Sequence, residues 1–179
     1  MKRTLLSIVV VGAAVVALAT AATASHRHVS ANDAALQQGD VGIEIMRTNF
    51  DVDRDTWQNA PLSVTLDRSG TFLIDANVLT NIAGYSDIIS TIRARLWSSR
   101  TGVLPDSERL LQTLVNRSPD RIRSIGNVTA PITHLVTVQD DTTIVLQVRR
   151  YDDAGEPTEA RLITGGSNHT VLRYARVGP

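Results

Sequence analysis

Thr71-Phe72-Leu73-Ile74-Asp75-Ala76-Asn77-Val78 is the stretch that decides the architecture of this chain. Phe72, Ile74, Ala76 and Val78 share one face of an extended segment, and Asp75 and Asn77 share the other. One dry and one wetter face is the pattern of a strand in an antiparallel sheet. Just ahead of it, Asp67-Arg68-Ser69-Gly70 reads as a turn, and Pro61-Leu62-Ser63-Val64-Thr65-Leu66 alternates in the same way. Further upstream, Ile43, Ile45 and Arg47 bracket Glu44 and Met46, again with period two. Residues 50–59 are polar and acidic, with Trp57 the exception.

The last third extends the pattern. From 131 to 148, ten of 18 residues are Val, Ile or Thr. Ile132, His134, Val136 and Val138 alternate with Thr133, Leu135 and Thr137. Gln139-Asp140-Asp141 breaks the run, and residues 142–151 form a second strand, so a hairpin is predicted. Residues 152–158 read as a loop, Gly165-Gly166-Ser167-Asn168 as a turn, and 169–177 as a final strand. Short strands divided by turn signals predict an all-β sandwich of two antiparallel sheets, or a barrel. With two Trp, three Tyr and two Phe in the chain, its core must be mostly Val, Ile and Leu.

The middle admits two readings. Residues 86–97 form a strand if Ile88, Ser90, Ile92, Ala94 and Leu96 share a face. They form a helix if Ile88, Ile89, Ile92 and Leu96 align behind a Ser86 cap. In 103–118, Leu110, Leu111, Leu114 and Val115 have helical spacing, with Asp106 and Ser107 as caps. The alternative fold is therefore α+β, with helices near 86–97 and 103–118.

The chain has 179 residues, but residues 1–24 read as a secretory signal. Lys2 and Arg3 give the positive start, residues 5–22 the apolar run, and Ala22-Thr23-Ala24 the small-x-small cleavage pattern. The rival reading is a retained membrane anchor. Residues 25–41 form a polar linker and 42–179 the domain; no other apolar run approaches the length of a membrane span. The processed chain has 16 Arg, no Lys and 18 acids, a formal charge of −2. Nucleic-acid binders carry a basic surplus, so that class is set aside. The absence of Cys excludes disulfides, zinc-thiolate and iron–sulfur sites and a thiol nucleophile.

Few residues point to chemistry. Asp51-Val52-Asp53-Arg54-Asp55 has the D-x-D-x-D spacing of a calcium loop, which makes Asp51, Asp53 and Asp55 weak metal candidates. Thr56 stands where such loops need Gly and Leu62 where they need a bidentate Glu, so a solvated acidic loop is the default. Asp140-Asp141 reads as turn-forming. His26-Arg27-His28 would chelate copper or nickel only if cleavage left His28 third in the chain. His134 and His169 are the domain's His residues, but no G-x-S-x-G elbow accompanies them, so no catalytic residue and no cofactor are assigned. Asn116, Asn127 and Asn168 head N-x-S/T patterns that are inert in a bacterial protein.

The order and wording of the segments resemble the complement component one-q and tumour necrosis factor (TNF) superfamily, especially its secreted bacterial members. The resemblance is carried by Gly42-Ile43-Glu44-Ile45-Met46-Arg47-Thr48, Ser69-Gly70-Thr71-Phe72-Leu73-Ile74, Ile92-Arg93-Ala94-Arg95-Leu96, residues 136–148, and Gly165-Gly166-Ser167 ahead of residues 170–177. It covers residues 42–177. Asp140-Asp141 stands where the family has a Gly-Asp turn, and no collagen-like stalk is present. The resemblance implies a jelly-roll sandwich of about ten strands, a homotrimer used for binding or display, and no enzymatic activity. The ligand would be an extracellular protein or glycan. The alternative is a small secreted hydrolase with an unrecognised active site. Independent support for self-association comes from apolar residues on both faces of two strands: Leu73 and Leu79 behind Phe72 and Ile74, and Leu135 behind Val136 and Val138.

Processing is directly testable. Exported protein should begin at Ser25, with His26 the alternative, on N-terminal sequencing; an intact Met1 would show that the leader is retained.

Overall fold

The computed structural model describes residues 40–165 and 168–179. The leader, the linker up to residue 39 with His26-Arg27-His28, and Gly166-Ser167 lie outside the described residues. Within them the chain forms β1 (Val41–Ile45), β2 (Phe50–Asp51), β3 (Gln58–Leu66), β4 (Gly70–Gly84), β5 (Ile88–Ser98), β6 (Gly102–Val103), β7 (Arg109–Asn116), β8 (Ser124–Val138), β9 (Thr142–Ala154), β10 (Glu159–Leu162) and β11 (Val171–Gly178).

β4 organises the first sheet. β8 runs antiparallel along all of it, from Gly70 opposite Val138 to Gly84 opposite Ser124. The other edge of β4 is shared between β11, opposite residues 71–77, and β10, opposite 80–83. β1 then pairs with β11, and β2 with β10. The second sheet runs β3-β9-β5, with β6 and β7 on the far edge of β5. The order β1-β11-β4-β8 in one layer and β3-β9-β5-β7 in the other, with the chain changing layers at β2–β3, β3–β4, β4–β5, β7–β8, β8–β9 and β9–β10, is a two-sheet jelly roll.

The alternation read in 71–78 holds. Phe72, Ile74, Ala76 and Val78 are fully buried, while Asp75 and Asn77 on the other face are half-buried. They meet Leu62, Val64 and Leu66 of β3, Ile92 and Leu96 of β5, and Ile144, Leu146 and Val148 of β9 in one aliphatic core. The Phe72 ring meets Tyr174 edge-on, with centroids 6.0 Å apart. The Tyr174 ring in turn lies over Gly42, where any Cβ would collide with it. Gly42 is thus fixed by a close approach rather than by a turn.

One open reading is settled, and after it one expectation is corrected. Residues 86–97 and 103–118 are not helices. The first is β5, with Ile88, Ser90, Ile92, Ala94 and Leu96 all buried. The second holds β6 and β7, and the helical spacing comes from a bulge. Ile92 pairs with Gln112 but Arg93 pairs with Leu110, so Leu111 is the extra residue. A bulge places consecutive residues on one side and shifts the phase of the alternation. Leu111 and Gln112 are both buried, while Leu110 and Val115 face solvent. Ser107, read as a helix cap, instead closes the turn between β6 and β7. Its hydroxyl donates to Leu104 O at 2.7 Å and accepts from Leu96 N at 3.1 Å.

The predicted hairpin is the correction. Both strands exist, but β8 pairs with β4 and β9 with β3 and β5. Gln139-Asp140-Asp141 carries the chain from one sheet to the other.

Phe72→Ala should lower unfolding free energy by about 3–5 kcal/mol in urea titration, since it empties the centre of the aliphatic core. A loss below about 1 kcal/mol would contradict this packing.

Candidate functional site

The two outer faces of the sandwich differ in kind. On the first sheet, register places Val41, Ala175, Leu73 and Leu135 in one row across β1, β11, β4 and β8. Val41 is 52% exposed and Leu135 59%, and Ile43 beside them is 54% exposed. Val41 and Leu135 stand open at the ends of the row and the half-buried Ala175 and Leu73 join them across the four strands, so the row is a continuous patch rather than scattered single residues. The next row begins with Ile43 and is polar beyond it: Arg173 lies 3.6 Å from Asp75, and Thr133 donates to Asp75 at 3.2 Å. Leu79 is on the same outer side but nearly buried, in a depression lined by Asn49, Thr129 and Ile163 of its own chain. Of the apolar residues expected on second faces, Leu73 and Leu135 therefore belong to the open patch and Leu79 does not. Burial, then Asp67 and Asp40, pushes the Tyr174 phenol above its ordinary value, so Tyr174 stays neutral beneath the patch.

Where β7 and β8 lie together as the free edges of the two sheets, single apolar side chains are exposed on different faces. Leu110 and Val115 of β7 and Ile125 and Val128 of β8 face solvent, with Ile122 in the connection between them. The edges are tied by Gln112 Nε2 donating to Gly126 O at 2.7 Å and Asn116 Nδ2 donating to Ile122 O at 2.8 Å.

The second sheet's outer face carries arginine and aromatic rings. Arg95 lies 4.0 Å from the centre of the Trp57 ring and Arg149 lies 4.7 Å from it. Arg149 also sits 4.0 Å from the Tyr151 ring centre, with Arg93 at 5.8 Å. These positions are cross-strand neighbours: Arg93 is opposite Arg149, Arg95 opposite Gln147, and Thr91 opposite Tyr151. Residue-by-residue reading missed the cluster. The signal available was the outward alternation of Arg93 and Arg95 on one strand and Arg149 and Tyr151 on another.

The acidic candidates separate. Asp51 pairs with Arg161 at 3.5 Å, Asp53 accepts from Gln58 Nε2 at 2.6 Å, and Asp55 pairs with Arg54 at 3.1 Å. Asp55 adopts a positive φ of 58°. Arg54 also lies 3.8 Å from Asp152, whose side chain is fully buried, and Asp55 N donates to Arg150 O, so the loop is strapped to β9. Among the described residues no three His, Asp or Glu side chains converge. His169 Nδ1 lies 2.7 Å from Thr164 Oγ1, and among the described residues no hydrogen bond joins His134 or His169 to a carboxylate. Asp140 and Asp141 are exposed in the turn between the sheets, where Arg100 Nε donates to Asp141 O at 3.1 Å. Asn116 is buried with its amide donating to two carbonyls, which leaves no acceptor for a glycan there. Asn127 is exposed and accepts from Asn81 at 2.6 Å.

Comparison with known proteins returns no matching family model and no matching curated protein. Solved structures do match. One is Eiger TNF from S. frugiperda, at 15% identity over 76% of this chain and 85% of that chain, with a TM-score of 0.37. Another is the infectious bursal disease virus VP2 subviral particle, at 14% identity over 76% of this chain and 37% of that one, with a TM-score of 0.38. The chain thus spans little more than a third of the VP2 length.

Millimolar calcium should leave the melting temperature unchanged, because the three carboxylates at 51–55 are spent on separate partners. A rise of several degrees that disappears in Asp53→Ala would instead establish a calcium loop.

Proposed function

We propose that this chain is a secreted, non-enzymatic binding or assembly module. Its jelly-roll head associates as a homotrimer and leaves its remaining surface for an extracellular protein or glycan. The observation that carries this reading is the apolar row Val41, Ala175, Leu73 and Leu135 on the outer face of the first sheet. A chain without Cys must draw its stability from packing or association. A patch of this kind favours a cover over contact with water.

A second copy of the chain fits the patch because the complement is on the same molecule. The free edge of β8 presents Ile125 and Val128, one on either side of the strand, at a place separate from the row. Edge against face is a heterologous contact, which either closes into a ring or runs on as a filament. Closure at three buries both surfaces in every copy and shields the long free edge of β8. Within the chain that edge is protected by Gln112 donating to Gly126 O and by Pro131, which donates no hydrogen bond.

Sedimentation of the processed protein at micromolar concentration should give a particle of about 51 kDa, three copies of ~17 kDa at roughly 110 Da per residue. Leu135→Asp together with Leu73→Asp should yield a folded monomer with an unchanged far-ultraviolet spectrum. A wild-type monomer would overturn the proposal.

A further inference from the structure

The outer face of the second sheet holds a pair of cations that the fold itself does not neutralise. Arg93 has its carboxylate, Glu108, at 3.0 Å. Arg95 and Arg149 have none within ion-pair distance among the described residues, although both lie against the one Trp57 ring. Arg149 is held between Trp57 and Tyr151, and its Nε is buried with no hydrogen-bond partner. Arg95 is oriented by a relay: its Nε donates to Gln147 Oε1 at 2.8 Å, and Gln147 Nε2 donates to Asn59 Oδ1 at 2.8 Å. That relay leaves the outer N–H groups of Arg95 unspent. Burial lowers the Arg95 guanidinium from its ordinary value, Glu108 raises it, and Arg149 lowers it again. Two like charges held side by side repel each other, and side chains fixed by stacking lose little further freedom when they bind. Rigid guanidinium groups with no carboxylate partner and with N–H donors left over suit planar or tetrahedral oxyanions, which accept two parallel N–H bonds.

We propose that Arg95 and Arg149 form a binding site for the carboxylate or sulfate ester of an acidic glycan. The position of the pair selects the carrier. β5 and β9 are the central strands of their sheet, paired on both edges, so an extended peptide cannot reach the site by adding a strand. The approach is over an open face, where Ser63, Thr65 and Thr143 present hydroxyl groups for sugar hydroxyls on the same side as Gln147. The site lies on the opposite layer from the apolar row and does not rest on the trimer; monomer and trimer should both bind.

Isothermal titration should compare four probes: a sulfated hexasaccharide, a hexauronate, inorganic sulfate and hexaglutamate. Binding of at least one saccharide is expected, weakening with added salt and accompanied by a change in tryptophan fluorescence. Arg95→Gln and Arg149→Gln should each weaken it tenfold or more, while Arg117→Gln, which removes an equal charge from a distant loop, leaves it unchanged. If a Gln variant fails to fold, Arg95→Lys with Arg149→Lys replaces it, and a tenfold loss is again expected because Lys lacks the planar fork. Failure of both saccharides to bind at millimolar concentration overturns the site. So does unchanged affinity in the folded double variant. Inorganic sulfate or hexaglutamate binding as tightly as the saccharides overturns the glycan assignment.

Discussion

The first sheet depends on how β4 changes partners halfway along one edge. Up to Asn77 that edge is paired with β11, and from Thr80 onward with β10. A strand that switches neighbours leaves backbone groups stranded at the junction, and buried orphans of that kind are costly. Thr170 resolves this. Its side chain is fully buried, accepts from Leu79 N at 3.0 Å and donates to Ile163 O at 2.9 Å. Ile163 N donates to Leu79 O at 3.0 Å. One hydroxyl therefore lets β10 and β11 share a single long strand, and their own partners, β2 and β1, take their places from that division. The same junction separates an outer face that is half open before Val78 from one that is closed after it, where Leu79, Asn81 and Ala83 are all buried.

This explains which parts of the fold could be read from sequence. Phe72 to Val78 alternates cleanly because a half-open sheet face has a polar side, and period two survives. Residues 86–97 were undecided because Ile88, Ile92 and Leu96 satisfy both periods, and only the pairing of β5 with β7 and β9 settles the matter. In 103–118 the local signal pointed the wrong way. The extra residue Leu111 breaks the alternation in the manner of a helical turn, and bulges leave no separate mark on composition. The turn at Gln139-Asp140-Asp141 was visible, but a turn does not state which sheet receives the next strand. β8 and β9 each have a dry face that suits either layer, and their pairing is decided by β4 and β5, more than forty residues earlier in the chain.

The functional surfaces were legible in proportion to how local they are. Leu73 and Leu135 were visible as apolar residues on the wet side of strands, although their union with Val41 and Ala175 in one row needs the register of four strands. The acidic run at 51–55 was conspicuous because it is contiguous, yet each of its carboxylates turns to a different neighbour. The guanidinium pair is the reverse case. Arg95, Arg149 and Trp57 come from three separate segments, each unremarkable alone, and only the antiparallel pairing of β5 with β9 brings the two cations onto one ring.

The two outer faces also constrain each other. Burying the first sheet's patch by association would work only if the opposite layer stays soluble, and over β3, β9 and β5 the second sheet carries arginines and hydroxyls there. Stacking keeps those arginines from spreading into solvent, so their charge is held at fixed positions rather than averaged over many rotamers. Covering the apolar row in a closed ring would turn one face of each copy inward and repeat the other around the symmetry axis. On the proposed trimer, three copies of a fixed cation pair would engage a repeating polymer by effective concentration, even where a single site is weak. Under that proposal association through one face and recognition through the other would be a single arrangement, in which burial of the apolar row would set the spacing of the cation pairs.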